Sequence, residues 1–238
     1  MRLDKFISNL WYGSRKEVIK VIKNWFILVN QEIINNPDFK LNFWDKVQIW
    51  EDLIEYKKFI YLILNKPIWY VCSKKNDWWH PSYLELLQDC PYWEIINIVW
   101  RLDFDTSGLL FLTNDWELTH NIITPKKEIY KKYLVVWATN ISDKNIEKLE
   151  KWVKIDLDNT WNYNFISKEA KAKRISDNSI YLEITEWKFH QIKKMFEAIW
   201  NKVIKLKRIS VWSLVLWNLE EWKWRYLKDD EIKKIKEI

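Results

Sequence analysis

Three short segments of this 238-residue chain combine charged, nucleophilic and aromatic side chains. RLDFDTSG contains Arg101 and Asp103, KKYLV contains Tyr133, and EWKFHQIKKMF contains Lys193. The first segment lies between two apolar runs, and the third spans a junction between a strand-like and a helical pattern. Carboxylates, ammonium groups and phenols are the side chains that nucleophilic and acid–base catalysis use. The three segments are therefore candidates for parts of one active site.

Together the three segments resemble the motifs of the ribosomal small-subunit pseudouridine synthases, the RsuA family. That family reads GRLDxDTxGL around its catalytic aspartate, KxY at an active-site tyrosine, and EGK(Y/F)HQ(V/I)K(R/K)MF around a basic partner. The resemblance spans nearly the whole chain and includes NKP at 65–67 and ND at 114–115. It implies that Asp103 is the nucleophile, Arg101 a neighbouring cation, Tyr133 the ring against the uracil, and Lys193 the cation held against Asp103.

These implied roles are chemically consistent. An ammonium group fixed beside Asp103 would offset the cost of burying the carboxylate charge. A uridine in folded RNA must leave its stack to reach a side chain, and an aromatic face such as Tyr133 can hold the extruded base. The implied reaction detaches uracil from C1′, turns it and rejoins it through C5. The resemblance leaves two sites of attack by Asp103 open, ribose C1′ and uracil C6. It implies no metal or other cofactor.

Neighbouring polar residues receive other expected roles. Asp105 is expected to cap backbone amides in a turn. His190 is expected to begin a helix and position the junction, with contact to a substrate phosphate as the alternative, and Gln191 is grouped with it as an RNA contact. The KFHQ form looks more like the small-subunit enzymes than their large-subunit relatives. It therefore favours 16S rRNA as the substrate, with 23S rRNA as the alternative.

Residues 1–58 are expected to form a small RNA-binding domain. RLDKFISNL and SRKEVIKVIKN have helical spacing, Ser14 and Glu17 form a capping box, and short strands follow. This order of elements resembles the S4 (αL-like) RNA-binding domain. The candidate RNA contacts are the basic residues and the capping serine: Arg2, Lys5, Ser14, Arg15, Lys16, Lys20 and Lys23.

Residues 59–238 alternate strand-like and helical segments, as an α+β domain does. The expected fold is the pseudouridine-synthase domain that the resemblance implies, with a mixed, mainly antiparallel sheet flanked by helices. A net charge of +6 favours a polyanionic partner. Two cysteines without CxxC spacing and three scattered histidines indicate neither a disulfide framework nor a zinc site.

The expected partner is rRNA, with 16S favoured, or a ribosomal precursor particle. No apolar run approaches the ~18 residues of a membrane span, and the amino terminus lacks the apolar core of a signal peptide. We therefore expect a cytoplasmic monomer without a membrane partner. The alternative to an enzyme is an S4-type RNA-binding protein whose catalytic half is inert.

Tryptophan occupies positions where glycine is expected. The chain contains 19 Trp and 2 Gly, whereas average usage of about 7% would give roughly 17 glycines. Trp152 and Trp200 follow helical segments, at the left-handed position that favours glycine. The other candidates stand in turns, at segment junctions or directly before Arg101: Trp25, Trp44, Trp69, Trp100, Trp116, Trp187, Trp212, Trp217 and Trp222.

Our hypothesis is that most of these residues are glycine in the living protein, because the host reads UGA as glycine and the gene was translated with UGA as tryptophan. UGG codons at these positions would contradict it. The alternative is a truly tryptophan-rich protein that stacks bases or sugars on its rings. Trp224 lies in no turn context and is expected to be a true tryptophan. An indole at Trp100 would crowd the Asp103 loop, and one at Trp187 would obstruct the approach of Lys193.

Overall fold

The computed structural model describes residues 1–24, 26–124, 127–155 and 165–237. Trp25 therefore lies outside the described residues. The chain divides into two compact units. The first comprises Met1–Tyr61, Leu87–Asn97 and Leu112–Asp115, and the second comprises Leu62–Leu86, Ile98–Phe111 and Trp116–Ile238. The expected division at residue 58 stays a prediction.

The first unit pairs two short helices with a small sheet. Its helices are α1 (Leu3–Asn9) and α2 (Arg15–Lys23). Ser14 caps α2 in the expected capping box, because its hydroxyl accepts from the Glu17 amide while the Glu17 carboxylate accepts from the Ser14 amide. The strands are antiparallel in the order β2-β1-β3-β4, with the bounds β1 (Ile27–Val29), β2 (Glu32–Ile33), β3 (Lys46–Ile49) and β4 (Asp52–Glu55).

A larger mixed sheet forms the centre of the second unit. Its main path runs β11-β12-β8-β13-β7-β5-β15, with β6 beside β7 and β14 beside β13. Its strands are β5 (Tyr61–Lys66), β6 (Asn97–Ile98), β7 (Ser107–Thr113), β8 (Lys131–Trp137), β11 (Lys171–Ser176), β12 (Ser179–Ile184), β13 (Val203–Val211), β14 (Leu214–Val215) and β15 (Trp224–Tyr226). β13 runs parallel to β7 and antiparallel to β8. The expected mixed, mainly antiparallel α+β sheet is confirmed.

Helices and a separate strand pair accompany this sheet. Strands β9 (Lys154–Ile155) and β10 (Phe165–Ile166) pair with each other, and a 3-10 helix spans Tyr83–Leu87. The α-helices are α3 (Trp116–Ile123), α4 (Asp143–Lys151), α5 (Gln191–Glu197) and α6 (Asp229–Lys236). Across the described ranges, no helix has the length and apolar character needed to cross a bilayer.

Gly108 allows the central strands β7 and β13 to approach closely. Its φ is 111°, in the left-handed half of backbone space. A Cβ built at Gly108 would overlap the backbone of Arg208, its partner in the parallel pairing. A side chain at position 108 would therefore separate the two strands that hold the Asp103 loop.

Among the residues that the structure describes, eight tryptophans have a left-handed backbone, with φ between 47° and 76°. Their side chains are all exposed, and a Cβ is strained in this conformation. They are Trp11, Trp44, Trp50, Trp69, Trp200, Trp212, Trp217 and Trp222. The expectation of glycine-type backbone is confirmed at six of the candidates, namely Trp44, Trp69, Trp200, Trp212, Trp217 and Trp222.

The expectation is wrong for two other tryptophans. Trp152 has φ −172° and ψ 150°, because the chain runs from α4 almost directly into β9 and stays extended. Trp116 is the first residue of α3 and does not stand in a turn. Neither Trp100 nor Trp187 has a left-handed backbone. Trp224 lies within β15, outside any turn, as expected.

Candidate active site

The loop between β6 and β7 carries Asp103 at the wall of a cavity. A turn closes around it, because the Thr106 amide donates to the Asp103 carbonyl over 3.1 Å. The preceding Leu102 is buried, and its amide donates to the Cys72 thiol over 3.3 Å. The Asp103 side chain is 17% exposed. It lines a cavity of about 500 Å³ together with Cys72 and His190.

Lys193 from α5 faces this loop. Its Nζ lies 3.5 Å from Oδ2 of Asp103 and 2.5 Å from Oδ1 of Asp105. The expected closeness of Asp103 and Lys193 is therefore present, and the ammonium also binds a second carboxylate. Among the described residues, nothing hydrogen-bonds Oδ2 of Asp103. This oxygen is itself buried, and the nearby Lys193 ammonium compensates its charge.

Asp105 departs from its expected role. The sequence predicts that Asp105 caps backbone amides, whereas its carboxylate accepts a hydrogen bond from Lys193. The turn places both aspartates on the side of the loop that faces α5. Lys193 is consequently shared between a carboxylate that lines the cavity and one that anchors the ammonium.

Arg208 supports the Asp103 loop through hydrogen bonds to its backbone. It is fully buried on β13, and its guanidinium donates to three backbone carbonyls. The acceptors are Leu109 at 2.8 Å, Trp100 at 2.7 Å and Arg101 at 3.3 Å. One planar group thus ties the start of β7 to the segment that leads into Asp103. The sequence gives no signal of this role, because Arg208 stands in a strand with several basic residues.

His190 and Gln191 begin α5. His190 is the residue before the first turn and has a left-handed φ of 52°. Its Nε2 lies 3.8 Å from Oδ2 of Asp103. Gln191 is buried, and its amide group donates to Glu186 and accepts from the Lys188 amide. This burial argues for Gln191 as a residue that fixes the turn, and against an RNA contact.

Tyr133 is completely buried on β8. Burial raises the pKa of its phenol, against the opposing effect of the Arg208 charge. The Trp187 indole stacks on the Tyr133 ring, with 6.1 Å between centroids and 15° between planes. The ring expected to face a uracil therefore has another aromatic side chain beside it and no exposed surface.

A second cavity, of about 510 Å³, also has Trp187 in its lining. Arg101 and Trp187 line both cavities. Arg101 is exposed, and no ion pair joins it to Asp103 within the part of the chain that the structure describes. The place of Arg101 at both cavities is compatible with its expected role as a neighbouring cation. Arg101 does not, however, pair directly with Asp103.

Two buried lysines add positive charge that the sequence did not single out. Lys66 ends β5, and its ammonium donates to the carbonyls of Pro67 and Tyr70. Burial lowers the pKa of Lys66 to about 8, although Cys72 and both loop aspartates act to raise it. Burial also lowers the pKa of Lys131, which lines the second cavity, to about 8. The sequence signal that could have identified Lys66 is its position as a lysine at the end of an apolar, strand-like run.

The basic residues of the first unit fall into two groups. Arg2 and Arg15 both bind the buried Asp4. Burial raises the pKa of Asp4, but the hydrogen bonds from the two arginines outweigh it and hold the pKa at about 2. The lysine side chains are exposed: Lys5, Lys16, Lys20 and Lys23. The Ser14 hydroxyl is used in the helix cap, so the lysines offer the freest contacts for RNA.

Known proteins resemble this chain over its whole length. A model of the RNA pseudouridylate synthase family matches residues 60–198, and a model of the S4 domain matches residues 1–47. An uncharacterized RNA pseudouridine synthase of Aquifex aeolicus is 31% identical over 100% of this chain and 97% of its own. The ribosomal small subunit pseudouridine synthase A of Escherichia coli strain K12 is 33% identical over 98% of each chain. A crystal structure of a pseudouridylate synthase matches with a TM-score of 0.67 at 30% identity, over 99% of each chain.

Proposed function

Because this chain belongs to the RNA pseudouridylate synthase family, we propose that it converts one uridine of 16S rRNA to pseudouridine, with Asp103 as the nucleophile. The observation that carries the proposal is the pair formed by Asp103 and Lys193 at a cavity wall. A carboxylate oxygen without a hydrogen bond faces an ammonium 3.5 Å away. Such an oxygen can attack an electrophilic carbon while the ammonium stabilises the charge of the loop.

The reaction is an isomerisation, and its atoms balance without a co-reactant. The bond between N1 and C1′ breaks, a bond between C5 and C1′ forms, C5 loses its proton and N1 gains one. Tyr133 and His190 carry groups that can move such a proton. The buried cations Lys66, Lys131 and Arg208 surround the loop with positive charge, which suits a phosphate-bearing substrate.

The amino-terminal unit supports RNA as the substrate. The four exposed lysines of α1 and α2 provide charge for backbone phosphates. We propose residues 1–58 as the RNA-binding domain and residues 59–238 as the catalytic domain. The small-subunit activity named for the Escherichia coli relative and the KFHQ form of the third segment both favour the small ribosomal subunit over 23S rRNA.

We further propose a monomer acting in the cytoplasm, on rRNA or on a ribosomal precursor particle. A ribosomal substrate would place the reaction where ribosomes are assembled.

A second candidate function is RNA binding without catalysis. The burial of Tyr133 favours it, because a ring without exposed surface cannot hold an extruded base. The two functions share the amino-terminal RNA contacts and differ only in turnover.

Mapping pseudouridine in rRNA tests the proposal. The protein to use is the glycine version, in which Trp100, Trp187 and the eight left-handed tryptophans are replaced by glycine. It is incubated with 16S and 23S rRNA from cells that lack the gene. We expect one new pseudouridine in 16S rRNA, and none when Asp103→Asn is added. Bound rRNA without any new pseudouridine would favour the non-catalytic function instead.

A further inference from the structure

An aromatic pair lies beside the candidate nucleophile. Phe104 directly follows Asp103 in the chain and lines the same cavity, and the His80 ring stacks on it, with 4.9 Å between centroids and 15° between planes. Phe104 is 37% exposed, whereas the Asp103 side chain is 17% exposed. A flat aromatic surface therefore adjoins the carboxylate and is more open to solvent than the carboxylate itself.

Backbone hydrogen bonds hold the two rings in place. The Phe104 carbonyl accepts from the Trp69 amide over 2.6 Å. His80 closes a turn with Asp77, because each amide donates to the other residue's carbonyl, over 2.9 and 3.3 Å. The Trp69 indole also lies against both rings. Glycine at position 69 would keep the backbone bond and expose more of the aromatic pair.

The surroundings of this pair suit a single strand of RNA. Arg101 lines the cavity with Phe104, and Phe189, a further lining residue, is 70% exposed. The Lys194 ammonium lies 4.7 Å from the centroid of the Phe189 ring. Lys193 compensates the charge of the two loop aspartates. Cations beside exposed rings match a strand with anionic phosphates and bases that stack.

The family motifs do not specify this pair. Position 104 is the unspecified residue x of the GRLDxDT motif, and His80 lies outside all three segments that carry the resemblance. The stack is therefore a feature of this chain, and it can contribute to which uridine the chain selects.

We infer that Phe104, backed by His80, forms a second base-binding site, which stacks a base that flanks the target uridine. Because Phe104 and Asp103 are consecutive residues, a nucleotide on the ring is a neighbour, in the RNA strand, of the nucleotide at the carboxylate. A base must be unpaired to stack on a protein ring. The inference rests on the proposed function and specifies its substrate as a uridine with an unpaired base beside it.

Binding of two labelled RNA pentamers to the glycine version tests the inference. One is pentauridylate, and the other keeps only its central base and is abasic at the four flanking positions. Phe104→Leu keeps an apolar side chain but lacks a flat face. Tyr226→Leu is the matched control, because Tyr226 is 36% exposed on β15 and lines neither cavity. Fluorescence anisotropy measures each Kd, thermal unfolding checks that each protein is folded, and pseudouridine formation in 16S rRNA is measured in parallel.

We expect the glycine version to bind pentauridylate roughly 5–150-fold more tightly than the abasic pentamer, as the stacking of one base would give. Phe104→Leu should lose most of this difference, His80→Ala part of it and Tyr226→Leu none. A difference that is absent from the glycine version, or undiminished in Phe104→Leu, would overturn the inference, and pseudouridine in 16S rRNA would then leave the proposed function intact. A difference that depends on Phe104, without any pseudouridine, would support the second base-binding site and overturn the proposed catalysis.

Discussion

The Lys193 ammonium bridges two carboxylates, lying 3.5 Å from Asp103 and 2.5 Å from Asp105. The bridge gives the two aspartates different positions in one loop. Asp105 anchors the cation, whereas Asp103 lines the cavity and has one buried oxygen without a hydrogen bond. Asp105 is therefore a positioning carboxylate and Asp103 is the proposed nucleophile. Substitutions of the two residues should differ in their effect on activity.

Replacing Arg208 should misplace the Asp103 loop. In Arg208→Met the carbonyls of Trp100, Arg101 and Leu109 lose their buried donor, at about 1–3 kcal/mol for each unsatisfied group. In the glycine version we expect kcat to fall on the order of 100-fold with KM nearly unchanged. Arg208→Lys should not restore kcat, because one ammonium cannot reproduce the planar fork.

Steady-state kinetics with the matched variant Arg174→Met checks this expectation. Arg174 is partly exposed and binds Asp143 away from the loop. Equal losses of kcat in both variants, or a rise in KM alone for Arg208→Met, would contradict a positioning role for Arg208.

Replacing Trp200 by glycine should stabilise the protein. Trp200 has φ 61° and an indole that is 94% exposed. Relief of a left-handed Cβ, less the entropy that glycine costs, should raise the unfolding free energy by about 0.5–1 kcal/mol. Trp137→Gly is the contrast, because this buried side chain packs on Phe196 and its loss should cost about 3–5 kcal/mol. Denaturant unfolding measures both variants. A lower free energy of unfolding for Trp200→Gly than for the unaltered chain would argue against glycine at that position.

The first unit should lose stability in acid through Asp4. The pKa of Asp4 in the folded state is about 2, below its ordinary value of 3.8. A carboxyl group with a lowered folded pKa contributes fully above its ordinary pKa and loses that contribution as pH falls through the folded value. We therefore expect unfolding of α1 and α2 between about pH 4 and pH 2.

Amide exchange across this pH range measures the effect. Asp4→Asn should destabilise the unit at neutral pH and remove this part of the acid transition. Asp38→Asn is the matched control, since Asp38 also pairs with Arg2 but is exposed. Acid transitions of the same shape in Asp4→Asn and the unaltered chain would contradict the assignment.

Neutralising the exposed lysines of α2 should weaken rRNA binding in a salt-dependent way. With Lys16, Lys20 and Lys23 all changed to glutamine, the slope of log affinity against log salt should decrease in magnitude by about 2–3. Filter binding at several salt concentrations measures the slope. The control changes the three lysines of α6, Lys233, Lys234 and Lys236, to glutamine, and an equal change there would mean that net charge alone is responsible.

The sequence predicted the site unevenly, for physical reasons. Asp103 and Lys193 could be read from motifs, because each motif places its residue at a fixed point of a loop or helix. The role of Arg208 depends on how β13 lies against β7, which no local pattern records. Whether Asp105 binds Lys193 depends on the directions of the side chains within one turn, which the sequence does not show. The sequence alone therefore predicts capping for Asp105.

Local backbone could be predicted wherever a helix ends in a sharp turn, as at Trp200, which is left-handed. Trp152 has the same sequence context but is extended, because β9 begins only two residues after it. The placement of Trp187 beside Tyr133 joins residues far apart in the chain and required the structure.

Single-turnover modification of 16S rRNA tests the central claim most directly. The glycine version is compared with its Asp103→Asn and Asp105→Asn variants, which remove the same charge from neighbouring positions of one loop. If Asp103 is the nucleophile, Asp103→Asn should form pseudouridine at least roughly 10³-fold more slowly, and Asp105→Asn should lose about 10-fold or less through a less fixed Lys193. Pseudouridine formation by Asp103→Asn at the rate of the parent protein would contradict the account.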